Sequence, residues 1–159
     1  MVGLFWITAD AVHVGAPPGI AGQGARLTEK GVEHPDGDRL WTWEDLDSAS
    51  VEAAPVRSTL RRRLALAAEF VLTAGLGGAG EPPAMLLCLE TPSSREELPV
   101  QAATSAYDEE EFTRSQSLLT LFVTGTASPR TLMTWAQSAD GTTPKSPERR
   151  ALLREWTGA

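Results

Sequence analysis

Cysteine is almost missing from this chain. Of 159 residues one is Cys, one is Tyr, two are His, and the fourteen basic residues include only two lysines. The single thiol, Cys88, excludes an internal disulfide. It sits in Met85-Leu86-Leu87-Cys88-Leu89, a run that reads as a buried strand, so a small core residue is expected. A nucleophilic cysteine needs a neighbouring base and partial exposure, and the local sequence offers neither. His13 and His34 with one thiol fall short of the three or four ligands at regular spacing that a zinc site takes. Both read as surface or internally satisfied side chains, and no metal or cofactor is expected. Long apolar runs are missing too. The stretch Ser115 to Pro129 is interrupted by Ser, Thr and Gly, and misses the roughly 20 apolar residues of a membrane span. Met1-Val2-Gly3-Leu4-Phe5-Trp6 is apolar, but it has no basic region and meets Asp10 early, so it does not read as a signal peptide. A cytoplasmic protein without membrane insertion is the expectation.

Positive charge is scarce. The net charge is −7, and such a surface repels phosphate backbones and anionic lipid. Nucleic acid is therefore not an expected partner. A helix-turn-helix would need a basic recognition helix, and only Arg149, Arg150 and Arg154 are available near the end. Arg outnumbers Lys twelve to two, which with abundant Ala and Gly is the codon signature of a GC-rich genome. The apolar share is 42% and the charged share 22%, close to globular averages.

A repeated phrase organises the front of the chain. Ile7-Thr8-Ala9-Asp10-Ala11-Val12-His13-Val14 and Leu27-Thr28-Glu29-Lys30-Gly31-Val32-Glu33-His34 share one layout: strand end, tight reversal, strand start. Between them, Gly15 to Gly24 holds glycines and prolines that sustain neither ladder nor helix. It lacks the Gly-Lys-Ser/Thr of a phosphate loop and runs into a strand instead of a helix, so it reads as a mobile linker. Asp36-Gly37 marks a type I′ turn. Asp36-Gly37-Asp38 does not extend into the twelve-residue calcium pattern. Arg39-Leu40-Trp41-Thr42-Trp43 alternates, placing Trp41 and Trp43 on one face. Ser48 to Ala54 is a further strand ended by Pro55. Arg57 to Thr73 reads as strand or helix, with strand preferred because it leads toward Ala84–Leu89. Pro99 to Ala102 is a short edge strand, where proline is tolerated.

The last third changes period. Glu109-Glu110-Glu111 suits the positive end of a helix, Phe112, Leu118, Leu119, Phe122 and Val123 form its apolar stripe, and Gly125 stands where it ends. Ser128-Pro129 starts a second helix to about Ser138, and Ser146-Pro147-Glu148 a third. The expected organisation is an antiparallel β module over residues 1–106 and a helical segment over 107–159, packed as one domain. The expected class is α+β, with six or seven strands followed by C-terminal helices.

Chemistry leaves few traces. No Gly-x-Ser-x-Gly elbow or Ser-x-x-Lys pair appears. The acidic stretch Glu29 to Glu52 reads as a solvated face. Arg57, Arg61, Arg62 and Arg63 form the one basic cluster; it either grips a phosphate or acidic partner or neutralises that acidic stretch. Trp135 and Trp156 lie on the terminal helices, where they serve the core or an interface, the surface that favours tryptophan.

Leu27-Thr28-Glu29-Lys30-Gly31-Val32 and Asp36-Gly37-Asp38-Arg39-Leu40-Trp41-Thr42-Trp43-Glu44-Asp45-Leu46 resemble bacterial pleckstrin-homology-like domains over residues 3–106. The resemblance implies a strongly bent antiparallel sheet or partly open barrel, closed by a helix from near Asp108. That family has no shared catalytic residues to carry over. Its lipid-binding members use a basic loop, whereas this chain is acidic outside Arg57–Arg63. The expectation is a non-enzymatic binding or adaptor protein with a protein partner, touching it through Arg57, Arg61, Arg62, Arg63, Trp135 and Trp156. The alternative is a small-ligand-binding β-barrel or small enzyme whose site is assembled from distant strands.

Overall fold

The computed structural model describes residues 1–17, 24–58, 83–139 and 141–158. Eight strands are described, where the sequence suggested six or seven: β1 Phe5–Ile7, β2 Val12–Val14, β3 Arg26–Leu27, β4 Gly31–Glu33, β5 Leu40–Thr42, β6 Ser48–Glu52, β7 Ala84–Glu90 and β8 Arg95–Gln101. They form two antiparallel sheets, β1-β2-β3-β4-β5 and β6-β7-β8, which are not closed into a barrel. A 3₁₀ turn, Trp43–Asp45, carries the chain from one sheet to the other. Three helices follow: α1 Glu109–Val123, α2 Pro129–Ser138 and α3 Ser146–Thr157.

The repeated phrase is a single hydrogen-bonded device. In the first copy the Thr8 hydroxyl accepts the Ala11 N–H at 3.0 Å and donates to the Ala11 carbonyl at 3.1 Å. In the second, Thr28 treats Gly31 the same way at 3.2 and 3.0 Å. Thr91 repeats it with Ser94, at 3.0 and 3.1 Å, between β7 and β8. None of the loop residues has positive φ, so these are not mirror-image hairpin turns. In each copy the threonine N–H closes the turn on the carbonyl three residues on, at 2.8 Å, and the hydroxyl takes the N–H of that same residue. The Asp36-Gly37 hairpin also departs from type I′. Only Gly37 has positive φ, 72°, and the loop is closed by the His34 N–H on the Arg39 carbonyl. A four-residue loop with one left-handed glycine needs no second positive φ.

The described ends of the Gly15–Gly24 stretch are pinned, and residues 18–23, where a mobile linker was expected, lie outside the described residues. The Ala16 N–H donates to the Gln101 carbonyl and the Gly24 N–H to the Pro99 carbonyl. A Cβ on Gly15 would lie on the Gln101 carbonyl oxygen, and φ there is +78°. The close approach of the two sheets therefore requires glycine. Pro99 points its nitrogen to this outer side, where its missing N–H leaves β7 fully paired. β8 is thus an edge strand, as the proline suggests, but it is longer than four residues.

The core lies between the sheets and under α1. Met85, Leu87 and Leu89 alternate inward from β7, against Phe5, Val14 and Leu27 of the first sheet. Leu118, Leu119 and Phe122 of α1 cover one end; each buried side chain of this size contributes about 1.5–3 kcal/mol. Phe122 meets Phe5 edge-on, with ring centroids 6.2 Å apart, and tilts over Trp43 at 5.7 Å. The alternation through Trp41 stops one residue early, since Trp43 belongs to the 3₁₀ turn; both indoles are nevertheless buried. From α1, the Gln116 side chain takes the Val51 N–H at 2.9 Å and donates to the Val51 carbonyl at 2.8 Å. Its amide stands beside β6 as a further strand would.

Helix boundaries follow from caps. Asp108 accepts the N–H groups of Glu110 and Glu111, and Gly125, at φ +70°, follows the end of α1. Ser128 accepts the Arg130 N–H, with Pro129 opening α2. Ser146 is not the cap of α3. It is the first helical residue, and the Glu148 carboxylate takes the Lys145 N–H at 3.0 Å, which releases the Ser146 hydroxyl for another partner. Of the ambiguous stretch from Arg57 to Thr73, Arg57 and Ser58 are helical instead of extended. The rest lies outside the described residues.

Candidate functional site

The terminal helices enclose a groove of about 800 Å³. Its first wall is Trp135 and Ser138 of α2 with Ala139, the extended residue that ends the helix; its second is the α3 stripe Glu148, Ala151, Leu152 and Glu155. The 0-3-4-7 spacing puts the α3 set on a single helix face. The connection Thr142 to Lys145 closes one end. The opposite faces hold the helices down. Leu132 of α2 and Leu153 of α3 are wholly buried, while the Trp135 and Trp156 rings meet edge-to-face at 5.7 Å and 72°. Such a pair adds about 0.5–1.5 kcal/mol beyond its buried area.

A buried carboxylate fixes the α3 wall. Glu111 of α1 is 2% exposed. The Ser146 hydroxyl donates to its Oε1 at 2.9 Å, and Arg149 Nε donates to its Oε2 at 2.9 Å. Arg149 Nη1 then donates to the Pro144 carbonyl at 2.9 Å, on the wall of the groove. One guanidinium thus ties α1, α3 and the connecting segment together. Beside it Glu110 receives Arg154 Nη2 at 2.7 Å and Arg114 Nε at 3.0 Å. These bonds, Arg154 first, hold its carboxyl below the usual carboxylate range. Arg150 lies 3.5 Å from Asp108. The three arginines that a nucleic-acid reading would need are all committed to carboxylates of this chain. The amino terminus lies near the same junction, where burial and then Arg149 lower its pKa.

Of the residues singled out in the sequence, Trp135 and Trp156 come together here. Arg57 is exposed, beyond the bridge that pairs Val56 with Tyr107, and does not join the groove lining. Arg61, Arg62 and Arg63 lie outside the described residues. Sequence reasoning missed Glu111 and the stripe Glu148-Ala151-Leu152-Glu155. The 0-3-4-7 spacing was the available signal for the stripe; a bond from Glu111 across 38 residues has no local signal.

Two other clusters differ in kind. Cys88 is buried on a strand, as its sequence predicts, at 1% exposure. On β7 it alternates with Met85, Leu87 and Leu89 and so faces the other side of the sheet, where Arg95 Nη2 lies 3.4 Å from its sulfur. Burial and the Glu52 charge push the thiol pKa up, against a smaller pull from Arg95. His13 and His34 flank a shallow pocket of about 310 Å³ with Arg26 and Glu33. Burial, then Arg26, lowers the His13 pKa, and His34 Nδ1 lies 3.2 Å from Asp38. Among the described residues no group of three or more His, Cys, Asp and Glu side chains is placed to hold a metal ion. No described helix is long and apolar enough to cross a membrane.

No family model matches the sequence, and no curated protein or solved structure is similar to it.

Proposed function

We propose that this chain is a non-enzymatic, cytoplasmic binding module that acts through protein–protein contacts. Its frame would be of the pleckstrin-homology-like kind, bent antiparallel sheets with a helix packed after the last strand. Two antiparallel sheets followed by α1 support that reading. The observation that carries the binding role is the groove between α2 and α3. It has two helical walls that mix apolar side chains (Trp135, Ala151, Leu152) with polar ones and a braced end, and a segment of a partner protein is the occupant such a groove suits. The alternative, a small-ligand barrel or small enzyme, has less support, because Met85, Leu87 and Leu89 fill the space between the sheets where a ligand would lie.

A photo-crosslinking amino acid at Ala151 tests this in cells that express the chain. Discrete protein adducts are expected from Ala151, lost on Leu152→Asp, and absent when the probe replaces Glu97 on the β8 surface. Adducts that are equal from both positions, or that survive Leu152→Asp, would remove the reading.

A further inference from the structure

We propose that the groove seats a cationic amphipathic helix of the partner, an inference that rests on the groove being the binding face. The argument is the charge order along α3. Glu148 and Glu155 stand at the two ends of its stripe, with Ala151 and Leu152 between them. Seven residues at 1.5 Å each separate the two carboxylates by about 10.5 Å along the axis. A partner helix with Lys or Arg at positions i and i+7, and apolar residues at i+3 and i+4, repeats that order with opposite charge. Both glutamates are exposed; Glu148 keeps one oxygen on the Lys145 N–H and turns the other to solvent.

The facing wall fits the same occupant. Ser138 and Ala139 are small, so a helix backbone can approach this wall closely, and Trp135 adds apolar surface to it. Lys145 is the one cation of the lining and lies at the closed end. Only the final carbonyls of a docked helix would meet it there, and these attract a cation. The net charge of −7 adds long-range attraction for a cationic segment, which acts on association rate and discrimination more than on final affinity. An anionic helix would meet repulsion at both ends of the stripe.

The test uses the full chain and three synthetic helical peptides with the same apolar positions. At the two flanking positions they carry Lys, Ser or Glu. Titration is followed by the fluorescence of the chain's tryptophans and by the amide resonances of Ala151 and Leu152. The Lys peptide is expected to bind at least tenfold tighter than the Glu peptide, with Ser between them. The variant Glu155→Lys, which leaves the Glu148 cap of α3 in place, is expected to weaken the preference for Lys over Glu while circular dichroism stays unchanged. Equal binding of all three, lost on Leu152→Asp, overturns the cationic class and leaves the groove as the binding face. No binding by any peptide, with both resonances unmoved, overturns both.

Discussion

On the outer face of β6-β7-β8, Arg95 reaches three carboxylates: Glu52 at 2.8 Å, Glu97 at 3.1 Å and Glu90 at 3.5 Å. At the junction of α1 and α3, Arg149 reaches one, Glu111 at 2.9 Å. A tally of ion pairs would rank the first cluster higher. Exposure reverses the ranking. The Arg95 side chain is 45% exposed and its partners about half, whereas the Arg149 side chain is 19% exposed and that of Glu111 3%. Water already satisfies the first set of charges, and pairing adds little. Glu111 has exchanged water for one guanidinium and one hydroxyl, so each of those two donors matters.

The sharpest way to break this contrast is Arg149→Met. It leaves Glu111 buried without its cation, and about 3–5 kcal/mol of stability should be lost in urea unfolding. Amide exchange at residues 142–145 should quicken, because the Pro144 carbonyl loses its donor. A loss below about 1 kcal/mol would mean that water reaches Glu111 and that burial does not separate the clusters. Ser115→Ala is next. Its hydroxyl accepts the Leu4 N–H at 3.1 Å and donates to the Glu111 carbonyl at 2.7 Å. Removal strands a buried N–H, with an expected loss of about 1–3 kcal/mol in the same assay.

Between the extremes lies His13, half-buried on the first sheet. Its folded pKa is below the ordinary 6.5, so protonation is disfavoured in the folded state. The stability this contributes is present above 6.5 and is lost as pH falls through the lower folded value. His13→Gln should flatten the decline in stability from pH 7 to pH 5, by less than the Ser115→Ala effect. An unchanged slope would show that His13 is solvated. Arg95→Ala closes the series. Its urea midpoint should match the parent chain at physiological salt, and a clear shift would show the outer network to be more than a solvated cluster.

The parts legible in the sequence were those with local causes. The Thr8 and Thr28 turns, the Ser128-Pro129 start, Gly125 after α1 and the order of strands before helices all depend on residues within a few positions of one another. What stayed illegible depends on distant pairing. Glu111 reads as one more acid of a helix start until Arg149 and Ser146 close over it. Arg149, Arg150 and Arg154 look available for a phosphate until α1 claims them. The Thr91 turn was legible and overlooked; its Pro92-Ser93 loop bears no likeness to Ala9-Asp10, although the hydroxyl chemistry is identical.

Gln116 has a consequence beyond α1. By matching both backbone groups of Val51, its amide denies that margin of the sheet to any foreign strand, while Pro99 and the Ala16 and Gly24 contacts occupy the opposite margin. Growth of this sheet from molecule to molecule is therefore blocked on both sides. The five-stranded sheet keeps its own margins, β1 and β5, so this protection belongs to the β6-β7-β8 sheet alone.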